Sequence, residues 1–261
     1  QVGSVQLTMR GNMTLSKNEV KDKDEQNNVY PYLMEQGYRV NQAKGLIALG
    51  LFKDYTDIRN SPQQTFGAYQ PGDIKYLDVS GPDGTPDNKI TTDDRVIRGN
   101  DQPDLNYFAN LSFNYKKWSF EVLFQGVTGV DAYYSAPFSN GLNLTGDGLT
   151  PMKAQLDYWT PENPGARYPR LTPSPDYGNN HHASDYWHFD ASYCRVKYIQ
   201  VGYTFDQMSL KKVGISSIRV YLNAQNPFTF AKESMIDPEN RGQMGSYPLV
   251  KTYSVGLSLN F

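Results

Sequence analysis

Two stretches hold the residues whose types and spacing suit chemistry. Residues 72–100 are dense in Asp and Gly, with Asp78, Ser80, Asp83, Asp87 and Asp93 set around Gly81 and Gly84. A tightly turning chain that offers several hard oxygens suits Ca2+, so the spacing predicts a calcium site on Asp78, Asp83, Asp87 and Asp93. Pro82 and Pro86 break the regular D-x-D-x-D-G register, and the alternative is a set of Asx turns in which the same carboxylates bond their own backbone. The second stretch, residues 129–190, is rich in Gly, Pro, Asn, Tyr and Trp and sustains no period. A connection of this length is unusual inside a compact domain and is usually functional. Its Tyr133, Tyr134, Tyr158, Trp159, Tyr186 and Trp187 are the candidate substrate-binding residues, because aromatic faces stack on sugar rings. The competing reading makes them loop-packing or interfacial-belt residues.

Other chemistry finds little support. The carboxylates of Asp93 and Asp94 lie in turn-rich sequence, no nucleophile elbow or His–acid pair is visible, and His181 and His182 read as exposed loop. The three His share one stretch without metal-ligand spacing, and the single Cys194 has no internal disulfide partner. A net charge of −2 without a basic stripe gives no reason to expect nucleic acid.

The elements that must position these loops are strands. Mean hydropathy is −0.63, as in an ordinary soluble protein. A transmembrane barrel keeps the average equally low, because only alternate strand positions are apolar and the loops are polar. No run of about 18 apolar residues exists, which excludes a transmembrane helix. The 20 Tyr, 12 Phe and 3 Trp suit aromatic girdles, sugar-binding surfaces and β cores alike. Gln1 opens the chain with neither a signal peptide nor an initiator Met, so processing or truncation is expected to have removed what preceded it.

Period-2 alternation, the mark of a strand with two different faces, is clearest at the end of the chain. Tyr253, Val255, Leu257, Leu259 and Phe261 are apolar, and Thr252, Ser254, Gly256, Ser258 and Asn260 between them are small or polar. Residues 5–15 alternate in the same way, as do 105–115 and 118–125, which are joined by a tight turn at Lys116 and Lys117. Residues 218–225 follow the pattern, and 193–205 and, more weakly, 38–52 complete seven predicted strands. The expected apolar face includes Leu105, Leu111, Phe113, Phe120, Val122, Val220, Leu222, Val255, Leu257 and Leu259. With Phe261 on the periplasmic side, the connections 53–102, 129–190 and 232–248 are expected outside. Residues 17–37, 116–117 and 206–217 are expected inside, with 17–37 too long to fit well.

The motifs GDIKYLDVSG, DGTPDNKITTDDRVIRGNDQPDLNYFANLSFNYKKWSFEVLFQGVTG, TPENPGARYPRL, YCRVKYIQVGYTF, ISSIRVYLNAQNPFTF, DPE and YPLVKTYSVGLSLNF stand in this order over residues 72–261, within a resemblance that runs from about Val5 to Phe261. So arranged, they resemble the carboxyl-terminal part of SusC/RagA-like TonB-dependent outer-membrane transporters of Bacteroidetes. The family's usual compact DxNGDGxI loop is replaced here by the longer DVSGPDGTPDNKI. The resemblance implies an all-β fold, an antiparallel transmembrane β-barrel of about 22 strands with a plug, of which this chain supplies the last seven or so. It implies import of glycan or peptide oligomers with a SusD-like surface lipoprotein, energy coupling by TonB through an amino-terminal region absent here, and contact with outer-membrane lipid. It also makes Phe261 a membrane-insertion signal. The reading from a different class is a soluble carbohydrate-binding β-sandwich.

Overall fold

The computed structural model describes residues 5–25, 30–81, 85–134, 153–172, 178–205, 214–233, 235–241, 247 and 249–261. Six long strands form one antiparallel sheet: β1 (Val5–Leu15), β2 (Leu105–Tyr115), β3 (Trp118–Thr128), β4 (Tyr193–Phe205), β5 (Ser217–Ala231) and β6 (Thr252–Asn260). Their order in the sheet is their order in the chain. Such an up-and-down path makes each strand the hydrogen-bonding partner of the next, so the turns alternate between the two ends of the sheet.

Register decides what each face carries, because residues directly opposite in an antiparallel pair point the same way. Met9 pairs with Leu111, Leu111 with Val122, Val122 with Ile199, Ile199 with Ala224 and Ala224 with Tyr253. Parallel rows through Phe113, Phe120, Val201, Leu222 and Val255 extend the same apolar face. All ten predicted apolar-face positions lie on it. Ser112, Glu121, Gln200, Asn223 and Ser254 make an equivalent row on the opposite face. Val255 is 73% exposed and Leu257 62%. Among the described residues no second sheet packs on this face, as a β-sandwich would require. At the hairpin end Trp118, Tyr203 and Phe205 make an aromatic cluster, with ring centroids 4.8 and 4.7 Å apart along the chain of contacts.

One irregularity explains why residues 193–205 alternate poorly. The register of β4 slips between Val196 and Tyr198, so Lys197 is an extra residue. Opposite it, Asn226 (φ +49°) and Pro227 also stand outside the paired ladder. Proline has no N–H to give a ladder, so a bulge is where a strand tolerates it.

Residues 38–52, expected as a wall strand, are not one. They contribute only Lys44–Gly45 and Ala48–Leu51, short strands paired with Val96–Ile97 and Ile74–Tyr76. With Gly45 and Gly50 in the middle, the segment turns back on itself instead of extending; Gly50 has φ +109°, and a Cβ on Gly45 would approach the Ala183 carbonyl oxygen at 2.9 Å. The described wall therefore has six long strands, not seven. Residues 16–104 become a single connection at the same end of the sheet as 129–192 and 232–251. The assignment of 17–37 to the opposite side is thereby corrected, and with it the poor fit of that segment disappears.

Most of the buried apolar core lies not under the sheet but in these three connections. Leu46, Ile74, Tyr76 and Ile90 from the first pack with Tyr134, Tyr168 and Trp187 from the second and Ile236 from the third. The three connections thus fold together as one cap over one end of the wall.

Candidate functional site

The cap is stitched by buried polar groups that cross between its segments. Arg170 and Asp73 form an ion pair at 2.9 Å, with the Asp73 side chain 1% exposed. Asn180 Nδ2 donates to Asp73 Oδ1 at 2.8 Å, and Gln64 Nε2 donates to Asn179 Oδ1 at 2.5 Å and to the Ile74 carbonyl at 3.0 Å. The Tyr76 hydroxyl donates to the Asn179 carbonyl at 2.7 Å, and burial pushes its pKa upward. These buried groups are thereby compensated by partners from other stretches of chain, which favours one arrangement of the loops.

A second set of contacts holds the cap to the wall. Arg195 on β4 is 2% exposed. Its Nη2 donates to Asp237 at 2.7 Å, its Nη1 to Glu239 at 2.9 Å and its Nε to Thr229 on β5 at 2.9 Å. The bulged Lys197 adds a second cation on Glu239, also at 2.9 Å. The Pro238–Asn240 turn, capped by Asp237, is so clamped against the polar face of the wall. Arg39 pairs with Asp104 just before β2 begins, tying down the first connection.

The six candidate aromatics all belong to the cap. Tyr134 and Trp187 are buried in its core: the Tyr134 hydroxyl donates to Glu233, and Trp187 Nε1 donates to the Asn180 carbonyl at 2.7 Å. Tyr158 and Tyr186 are half-buried against that core, with the Tyr186 hydroxyl donating to the Arg167 carbonyl at 2.5 Å. Trp159 lies over Gly72, where a Cβ would meet its ring at 2.4 Å and where φ is +88°. Tyr133 leans on the His188 ring at 5.0 Å. The structure thus gathers all six into one body, with Tyr133, Tyr158, Trp159 and Tyr186 keeping part of their surface open.

In the Asp-rich loop the organising carboxylate is Asp94, which the spacing did not single out. It is fully buried and accepts from the backbone N–H groups of Val79 and Ser80, both at 2.8 Å, and of Thr91 at 2.6 Å. Thr91 and Asp94 form a capping box, and the T-x-x-D spacing was the signal available for it. Asp78 accepts from the Asn88 N–H at 2.6 Å, and burial raises its carboxyl pKa. Asp87 accepts from the Lys89 N–H at 2.9 Å in an Asx-type turn. Asp93 is exposed. Asp83 lies outside the described residues. Among the described residues no group of three or more His, Cys, Asp or Glu is gathered as metal ligands. The carboxylates of Asp78, Asp87 and Asp94 accept from backbone N–H groups.

The histidines depart from expectation. His181 and His182 are half-buried in the cap, not exposed: His182 stacks 3.8 Å from the Phe66 ring, and burial lowers the pKa of both. A His–acid contact invisible in the sequence also exists. Pairing of Asp131–Tyr133 with His188–Asp190 brings His188 Nε2 to 3.6 Å from Asp131.

An antiparallel sheet that is apolar on one face and polar on the other carries the same alternation as the strands of transmembrane β-barrels. Solved structures agree: the chain superposes over its full length on the RagAB peptide transporter with a TM-score of 0.70 at 23% identity, and on the open-open state of the RagAB peptide importer with a TM-score of 0.69 at 22% identity. It covers 28% and 27% of those chains. No family model matches the chain. Among curated proteins it is 30% identical over 234 residues to TonB-dependent receptor P26 and 29% identical over 214 residues to TonB-dependent receptor P3, both of Formosa agariphila, alignments that cover 83% and 75% of this chain. It is 29% identical over 198 residues, 74% of its length, to TonB-dependent receptor SusC of Bacteroides thetaiotaomicron. The chain is a homologue of the SusC/RagA-like TonB-dependent receptors. It spans about a fifth of the length of these curated relatives, 18–22%.

Proposed function

We propose that this chain is part of the wall and outer cap of a TonB-dependent outer-membrane transporter, which imports glycan or peptide oligomers with a SusD-like surface lipoprotein. The observation that carries the reading is the sheet itself: one continuous apolar face and one polar face, with no element covering the apolar one among the described residues. Lipid covers such a face in an outer-membrane barrel, and the polar face lines the lumen. The wall is completed to about 22 strands by further chain, and the edges of β1 and β6 pair there, because an open edge in lipid leaves backbone groups unpaired. The cap end is extracellular and the hairpin end periplasmic. TonB acts on a part of the transporter outside this chain. Phe261 serves the insertion of the barrel, and Tyr133, Tyr158, Trp159 and Tyr186 present the cap's aromatic surface to the cargo. No role in catalysis is assigned. The cap's carboxylates order its turns, with Ca2+ on Asp78, Asp83, Asp87 and Asp93 as the alternative to be titrated.

The test is deletion of the full-length gene in the native host, followed by uptake of fluorescent oligosaccharides and peptides in cells with and without TonB. The reading expects loss of TonB-dependent uptake of one cargo class and recovery on complementation. Unchanged uptake of every cargo in the deletion strain would refute it.

A further inference from the structure

The polar face of the wall is uneven in charge. Arg10, Glu121, Arg195, Lys197 and Arg219 all lie on it, yet the groove of about 440 Å3 next to the cap end of β1, β2 and β3 is lined by no charged side chain. Its floor includes Asn12, Thr14, Asn106, Leu123 and Gln125, with Phe108 at the centre. Phe108 pairs directly with Asn12 on one side and Gln125 on the other. It is 43% exposed, an open ring on a face that is mostly polar. Glu121, further along the same face, already accepts a hydrogen bond from Asn110 at 2.9 Å.

An open aromatic ring flanked by amides has a specific chemistry. The ring offers a flat apolar platform, and each amide offers two donors and an acceptor in one plane, enough to pair with neighbouring hydroxyls. Arg195, opposite Gln125, is already held by Asp237 and Glu239, and Arg10 lies one polar row further from the cap, so the lining itself offers a charged ligand no counter-ion and a neutral one loses less on entering. Pyranose rings, with one C–H face and a rim of hydroxyls, match both features.

Building on the transport reading, we infer that Phe108, with Asn12, Asn106 and Gln125, forms a wall subsite for a neutral oligosaccharide just below the cap. The ring of Phe108 stacks on one sugar, and the three amides set which hydroxyl pattern is accepted.

The test uses the purified full-length transporter and calorimetric titration with maltoheptaose, laminarihexaose, xylohexaose and an uncharged hexapeptide. The inference expects binding of at least one of the three oligosaccharides, weakened at least 10-fold by Phe108→Ala, retained in Phe108→Trp, and weakened for selected sugars by Gln125→Ala. Heat-modifiable migration of each variant checks that the barrel is intact. Oligosaccharide affinity unchanged in Phe108→Ala, binding of the peptide alone, or binding of none of the four would overturn the subsite. Uptake by intact cells, measured in parallel, separates the two levels: continued TonB-dependent import with an unaltered Phe108→Ala phenotype removes the subsite and leaves the transporter, whereas absence of import by wild type removes the reading beneath it.

Discussion

Arginine placed at Val255 and at the adjacent Ser254 should have opposite consequences. The two residues lie on opposite faces of β6: Val255 opposes Leu222 on the apolar face, and Ser254 opposes Asn223 on the polar one. Val255 is five positions from Asn260, the end of the strand. At about 3.3 Å per residue and a tilt near 40°, that is roughly 13 Å along the membrane normal, close to the middle of an apolar band about 25 Å tall. A guanidinium there costs about 2–4 kcal/mol, whereas on the lumen side at the same depth it stays in water and carries no such penalty. That penalty corresponds to roughly 30- to 900-fold in the folding equilibrium. The assay is urea unfolding of the full-length transporter in lipid vesicles, read by loss of heat-modifiable migration, together with the amount recovered in the outer-membrane fraction. Val255→Arg should shift the midpoint down and reduce recovery, while Ser254→Arg leaves both near wild type. Equal losses at the two positions would refute the assignment of faces.

Breaking the clamp with Arg195→Ala leaves Asp237 and Glu239 without their buried partner, at a cost of about 3–5 kcal/mol; limited proteolysis should then cut within residues 232–251 of the full-length protein faster than in wild type. Asp94→Ala strands the N–H groups of Val79, Ser80 and Thr91, each worth about 1–3 kcal/mol when buried and unpaired, whereas exposed Asp93→Ala should stay within about 0.5 kcal/mol in the same unfolding assay. His181 and His182 are held neutral by burial, so their folded pKa values lie below the unfolded value of about 6.5. The unfolded state then binds more protons, and the cap loses stability as pH falls from about 6.5 through the folded values. Hydrogen-exchange protection factors at residues 178–184, taken relative to the intrinsic rate at each pH, should fall from pH 7 to pH 5, and less so in the double variant His181→Gln, His182→Gln. Phe261→Asp should lower outer-membrane recovery more than uptake per inserted molecule, with Phe261→Tyr nearly silent, as fractionation and normalised uptake would show.

What was legible in the sequence follows the physics of each part. Strands with one lipid-type face and one wet face announce themselves by alternation, so 5–15, 105–115, 118–125, 218–225 and the terminal strand could be placed from residue types alone. The bulge at Lys197 erased the pattern in β4, since one extra residue moves every later side chain to the other face. Residues 38–52 misled for a different reason: Leu46, Ile47 and Leu49 are apolar because Leu46 is needed in the cap core, not because they span anything. The cap was the part least open to sequence reading. Its order comes from contacts between residues about a hundred positions apart, such as Arg170 with Asp73 and Gln64 with Asn179, which leave no local period. Hence Tyr134 and Trp187 showed as candidate ligands by type while the fold packs them inside, and Asp94, which organises its loop, was passed over for its more exposed neighbour Asp93.

The central claim, that this sheet spans the outer membrane with its cap outside, is tested most directly by labelling single cysteines in intact cells. In a full-length transporter carrying Cys194→Ser, cysteine is introduced at the exposed Lys53 in the cap, and separately at the exposed Lys116 in the hairpin turn between β2 and β3. A membrane-impermeant maleimide should modify the Lys53→Cys protein in intact cells. It should reach the Lys116→Cys protein only after the outer membrane is permeabilised. Equal modification of Lys116→Cys before and after permeabilisation would contradict the account.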